Sequence, residues 1–134
     1  MSQSLYDRLP YEFKPIARSF DFKGRAGRRE FWSFTVFWPL LFIIGGGIIG
    51  GVSSALKMPT LHAVVWWIGR GLAFALIIPF LSVAARRFHD MNRSGWWTLV
   101  ILIPFGVGVI ALLVALMFKG TVGTNRFGPQ TDAQ

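Results

Sequence analysis

Between residues 84 and 97 the chain reads AARRFHDMNRSGWW, which places Arg86, Arg87, His89, Asp90 and Arg93 within eight positions. Guanidinium groups fork onto carboxylates and phosphates, so a cluster of this kind suits anion binding. An imidazole beside a carboxylate also raises general acid–base work and metal ligation. Acid–base catalysis by His89 lacks a nucleophile or second carboxylate nearby in sequence. Adjacent His and Asp point in different directions on a helix, and the other histidine, His62, lies toward the opposite face. No catalytic residue, cofactor or metal site is therefore assigned. The bland alternative is a short, well-anchored loop whose arginines set membrane topology, with the cations favoured by the dipole at a helix C terminus.

Two further groups bear on the same chemistry. The N-terminal segment, residues 1–30, carries seven Lys or Arg and four acids, among them Arg25, Arg28 and Glu30. With Arg86, Arg87 and Arg93, the arginines at 25 and 28 are candidates for an anion- or lipid-binding face. Glu30, His89 and Asp90 are expected to orient it. Arg70 is the one formal charge inside the apolar runs. It is a functional candidate by default, or a side chain that snorkels to the outer interface near Trp66 and Trp67.

The elements that must position these residues are apolar. Hydrophobic residues make up 53% of the 134, too large a share for a soluble domain of this size. Phe31–Leu56 and Trp96–Phe118 have no charge, and Ile68–Ala85 has Arg70 alone. A hydrocarbon core of ~30 Å takes about 20 helical residues, so each run is long enough or nearly so. The runs are apolar on every face, unlike barrel strands. The expected fold is all-α integral membrane: a basic cytoplasmic or interfacial segment at 1–30, a domain of three transmembrane helices at 31–118, and a polar C-terminal tail at 119–134. A cleavable signal peptide is not expected, because the first apolar run begins only at residue 31.

In the first span, GGGIIGG sets Gly46 with Gly50 and Gly47 with Gly51 at the small-xxx-small spacing that lets helices approach closely, within one chain or between chains. The third span contains Pro104, Gly106 and Gly108. A break there would make a re-entrant hairpin and return the tail to the side of the charged knot; the expectation is a straight span. Ten basic residues then lie with the N terminus and the knot, against Lys57, Lys119 and Arg126, which puts the N terminus in the cytoplasm and the tail outside. The net charge of +8 is absorbed by topology and by anionic lipid head groups. No nucleic-acid partner is expected, since no recognised module is present. There is no cysteine, so disulfide and thiol chemistry are absent.

Three phrases in order, FDFKGRAGRREFW at 20–32, ARRFHDMNRSGWW at 85–97 and GTNRFGPQ at 123–130, resemble the bacterial inner-membrane family known as domain of unknown function eight hundred and five, the YhaH-like proteins. The resemblance covers roughly residues 20–130. It implies a multi-pass inner-membrane protein and supplies no reaction. Phe88 stands where the resembling pattern usually has leucine, and the N-terminal 19 residues fall outside the match. The function expected is that of a small structural or regulatory membrane protein without catalytic activity, whose cytoplasmic face binds anionic lipid or a phosphorylated ligand. It would act alone, as a homo-oligomer or with a membrane-protein partner. The alternative is an oligomeric channel or transporter for a small anion, with Arg70 in its wall.

Overall fold

The computed structural model describes residue 6 and residues 8–130. The expectations for residues 1–5, Asp7 and 131–134 lie outside the described residues. After a short helix α1 (Lys14–Ala17), the chain turns at Gly24–Gly27 and enters α2 (Arg28–Ala55). Then come α3 (Pro59–Ala75), α4 (Ile77–Asp90), a 3-10 helix (Gly95–Leu102) and α5 (Val107–Met117). All regular elements among the described residues are helical.

Helix α2 has 28 residues and extends about 42 Å at 1.5 Å per residue. The chain reverses at Lys57 and runs back through α3 and α4, which together cover the 32 residues Pro59–Asp90. They are separated only at Leu76. Pro79 lacks the N–H that would bond the Ala75 carbonyl, and its ring crowds that carbonyl, so the helix bends one turn ahead of it. Both long helices are apolar enough to cross a membrane. Val36, Leu40, Ile43, Ile44 and Ile48 of α2 stand exposed, a continuous apolar surface that water would not tolerate.

The third apolar run is not a third long helix, and the expectation of a straight span is corrected here. Its first part is the 3-10 helix of eight residues and its second is α5 of eleven. Each is about 16 Å long at the rises of ~2.0 and ~1.5 Å per residue, half of a hydrocarbon core. Pro104 interrupts the backbone ladder, and Phe105 and Gly106 both take left-handed conformations, φ 61° and 75°. Two such residues in succession reverse the chain, and α5 returns beside the 3-10 helix.

The buried core lies at the end of the molecule where this hairpin opens. Ala26, Phe31 and Phe34 pack there with Val83, Ala84 and Phe88 of α4 and Leu112 and Leu116 of α5. At the far end, contact between α2 and α3 is looser. Ser53 donates to the Gly50 carbonyl (2.9 Å) and meets His62 Nδ1 (3.1 Å). Of the four glycines expected to mediate helix packing, only Gly50 has a neighbour that an added Cβ would touch, the His62 ring. Gly46, Gly47 and Gly51 face open space.

Candidate functional site: a buried arginine–carboxylate clasp

The last turn of α4 carries Arg86, Arg87, His89 and Asp90 to the N-terminal end of α2, where Arg25 and Glu30 flank the helix start. Arg86, Arg87 and Asp90 have no exposed surface, and Arg25 and Glu30 are nearly as deep. Asp90 is the hub. One carboxylate oxygen accepts from Arg25 Nε at 2.8 Å and lies 2.7 Å from its Nη2. The other accepts from Arg87 Nη1. Arg86 Nη1 donates to Glu30 at 3.0 Å, and the Arg86 carbonyl accepts the N–H of Ala26 at 3.1 Å.

The tail, expected on the opposite side of the membrane, closes over this hub instead. Arg25 donates to the carbonyls of Thr121 and Gly123, each at 2.6 Å, and to that of Gly128 at 3.3 Å. Arg87 donates to the Phe118 carbonyl. The Thr121 N–H and hydroxyl both reach the Asp90 carbonyl, at 2.8 and 2.9 Å. Asn125 donates to the His89 carbonyl at 2.9 Å, while its own oxygen accepts from Phe127 N–H. The Phe127 ring then stacks flat on His89, with centroids 3.9 Å apart. Gly120 passes so close to Asp90 that a Cβ would overlap the carboxylate. Because carboxylates and guanidiniums out of water need every available partner, the tail backbone supplies part of the coordination that solvent cannot.

Even so the knot is not balanced. Three guanidiniums face two carboxylates, and Nε and Nη2 of Arg86 and Nε of Arg87 have no partner among the described residues. Three of the five arginines expected to form an exposed cationic face, Arg25, Arg86 and Arg87, are interior and engaged with the protein. Arg93 is exposed and Arg28 half-buried, and Lys23, Arg29, Lys119 and Arg126 add exposed charge around the knot. Arg70 is remote from it. Its guanidinium lies over the Trp66 ring at 4.3 Å, one turn toward the far end, on an exposed part of α3. His62 is bonded at that far end, so the two histidines do not meet.

The N-terminal segment is braced against α4. Ser82 Oγ stands within hydrogen-bonding distance of the Arg18 and Asp21 carbonyls, at 2.9 and 2.8 Å, and Trp38 Nε1 donates to the Glu12 carbonyl at 3.1 Å. Partial burial alone would raise the Asp21 carboxyl, but hydrogen bonds from Arg18 and the Lys23 N–H hold it below the ordinary range.

In sequence, GTNRFGP offers Asn125, Gly128 and Pro129 as turn formers around Arg126 and Phe127, within the third phrase of the family resemblance. The roles of Thr121, Asn125 and Phe127 depend on a chain reversal that the motif itself does not encode. Those turn formers and the resemblance are the signal that marks the tail motif, and Gly120 and Thr121 carry none.

The family described as protein of unknown function DUF805 matches residues 19–129, a stretch that contains every member of the clasp. Inner membrane protein YhaI of Escherichia coli K12 is 37% identical over 107 residues, 80% of this chain and 82% of its own length. Inner membrane protein YhaH of the same organism is 32% identical over 126 residues, 90% of this chain and 95% of its own. The uncharacterized protein YiiR of that strain is 27% identical over 84% of this chain and 87% of its own. No solved structure matches the chain.

Proposed function

The chain belongs to the DUF805 family of proteins of unknown function, and from that premise we propose that it is a non-catalytic inner-membrane protein with both ends on the cytoplasmic side. In this reading α2 and α3–α4 cross the bilayer, and the 3-10 helix and α5 form a re-entrant hairpin between them. The arginine-rich motifs are not a ligand pocket. They are a buried clasp that builds one folded cytoplasmic cap, and the charges left outside the clasp hold that cap to anionic head groups. The role is structural or regulatory: a cationic, rigid membrane face for lipid, or for a partner that carries phosphate.

The observation that carries this reading is the partnership of Asp90. A fully buried carboxylate shared by Arg25 and Arg87, with Arg25 also bound to three tail carbonyls, ties the three motifs into one unit. Lys23, Arg28, Arg29, Arg93 and Lys119 flank that unit in sequence and reach solvent to differing extents. Each basic residue near an anionic surface is worth about 1 kcal/mol. The test is native mass spectrometry of the protein extracted with bilayer lipid. Replacing Arg28, Arg29, Arg93 and Lys119 together with Gln is expected to reduce retained phosphatidylglycerol relative to phosphatidylethanolamine, with little change in melting temperature. Unchanged retention in a folded variant would remove the lipid-binding part of the proposal.

A further inference from the structure

On the side of His89 away from the clasp lies a cavity that none of the ion pairs uses. Leu81, Ala85 and His89 recur at every fourth position of α4 and form one wall. Gly95, Trp96, Thr98 and Leu99 of the 3-10 helix form the other, Phe22 and Ser94 close it, and the space amounts to about 440 Å³. Pockets of ~300–1,000 Å³ with apolar walls and a few convergent polar groups are the usual size and character of small-ligand sites.

One polar atom in these walls lacks a partner, His89 Nε2. His89 Nδ1 is 3.1 Å from the Gly24 carbonyl. A carbonyl can only accept, so a proton sits on Nδ1; burial, with Arg126 and Arg86 nearby, holds the ring's pKa below its ordinary value, and in the neutral ring Nε2 carries a lone pair. That nitrogen faces Gly95, where an added Cβ would lie 3.0 Å away; the missing side chain leaves it approachable. Thr98 is only 4% exposed, and its hydroxyl has no partner among the described residues. That hydroxyl has almost no accessible surface, so Thr98 meets the cavity with its apolar atoms.

The cavity is also polarised along its length. His89 and Ser94 mark the end beside the loop, while Leu81 lies two turns, about 12 Å, further into the apolar part of α4. The occupant must therefore offer a donor to Nε2 and an apolar body. A cationic head is disfavoured, because Arg126 lies over Phe127 (4.7 Å) and Phe127 over His89. We propose that this cavity binds the hydroxyl-bearing end of a membrane amphiphile, whose O–H donates to His89 Nε2. The glycerol hydroxyl of a diacylglycerol and the head-group hydroxyl of phosphatidylglycerol both supply this chemistry. The site uses different atoms from the exposed cations of the cap, so the two proposals fail separately.

The test uses the full chain in a micelle of a detergent without hydroxyl groups, with the two histidines labelled at nitrogen for NMR. Dioctanoylglycerol, dioctanoyl phosphatidylglycerol and dioctanoylglycerol acetate, in which the hydroxyl is capped, are titrated in turn. The expected result is a saturable shift of the His89 Nε2 resonance with a free-hydroxyl probe, none with the capped one, and none at His62. A shift with both free probes assigns the site to hydroxyl amphiphiles at large, and a shift with the phospholipid alone assigns it to that head group. His89→Asn, which retains a donor toward Gly24, is expected to lose binding. Equal binding of the capped probe, no shift at His89 with either free probe, or unchanged retention of the free-hydroxyl probe by a folded His89→Asn protein would each overturn the proposal.

Discussion

Asp90 concentrates the energetics of the protein in one side chain. Its two oxygens neutralise two of three buried guanidiniums, and its backbone carbonyl anchors Thr121. Asn is nearly the same size but carries no charge, and its amide hydrogens would oppose a guanidinium. Asp90→Asn therefore leaves Arg25 and Arg87 buried without compensation, a loss of about 3–5 kcal/mol from a total stability on the order of 5–15 kcal/mol. Thermal unfolding in detergent should show a melting temperature far below that of the parent, whereas Arg93→Gln, on the surface, should change stability by less than about 0.5 kcal/mol. An Asp90→Asn protein that melts with the parent would mean that the clasp is not what holds the cap together.

At the scale of elements the informative feature is the reversal at Phe105–Gly106, and substitutions there have opposite signs in a hairpin and in a straight helix. Gly106 has φ 75° and Phe105 has φ 61°, and a left-handed conformation costs an ordinary residue roughly 1–2 kcal/mol. In the hairpin, Gly106→Ala should destabilise by about 1 kcal/mol and Phe105→Gly should stabilise, because Phe105 is 98% exposed and gives up no packing. In a continuous helix Ala would be better than Gly by about 1 kcal/mol and both signs would invert. Paired melting curves decide between them. The same residues explain what sequence reading could and could not see. The apolar runs of α2 and of α3–α4 were legible because Phe31–Leu56 carries no charge and Ile68–Ala85 carries Arg70 alone. The third run is as apolar on either side of Pro104 as a true span, so hydrophobicity is blind to the direction in which the chain leaves the turn. The ion pairs of Arg25 with Asp90 and of Arg86 with Glu30 join positions 65 and 56 apart, and the tail contacts of Arg25 join positions up to 103 apart. Charge clusters announced that something polar gathers near the helix ends. Whether those charges face water or one another depends on the hairpin, and therefore stayed out of reach.

For the whole molecule, the return of the tail sharpens the charge asymmetry that orients membrane proteins. With Lys119 and Arg126 brought to the knot, twelve of the fourteen basic residues gather at one end, leaving Lys57 in the distant loop and Arg70 within α3. A straight third span would have left three basic residues outside. The positive-inside rule therefore favours the folded arrangement more strongly than the extended one, which supports the proposed placement of both ends on one side. That placement can be tested by distance. Arg126 Nη2 donates to the Asn92 carbonyl at 3.1 Å, both residues are exposed, and the chain has no native cysteine. Asn92→Cys with Arg126→Cys should therefore be joined by a short bis-maleimide in intact membranes, and neither single variant should change mobility within the monomer. A tail on the far side would lie across a ~30 Å hydrocarbon core, beyond the reagent's span. Labelling of the two cysteines from opposite faces of the membrane would overturn the fold itself, because no clasp around Asp90 survives that separation.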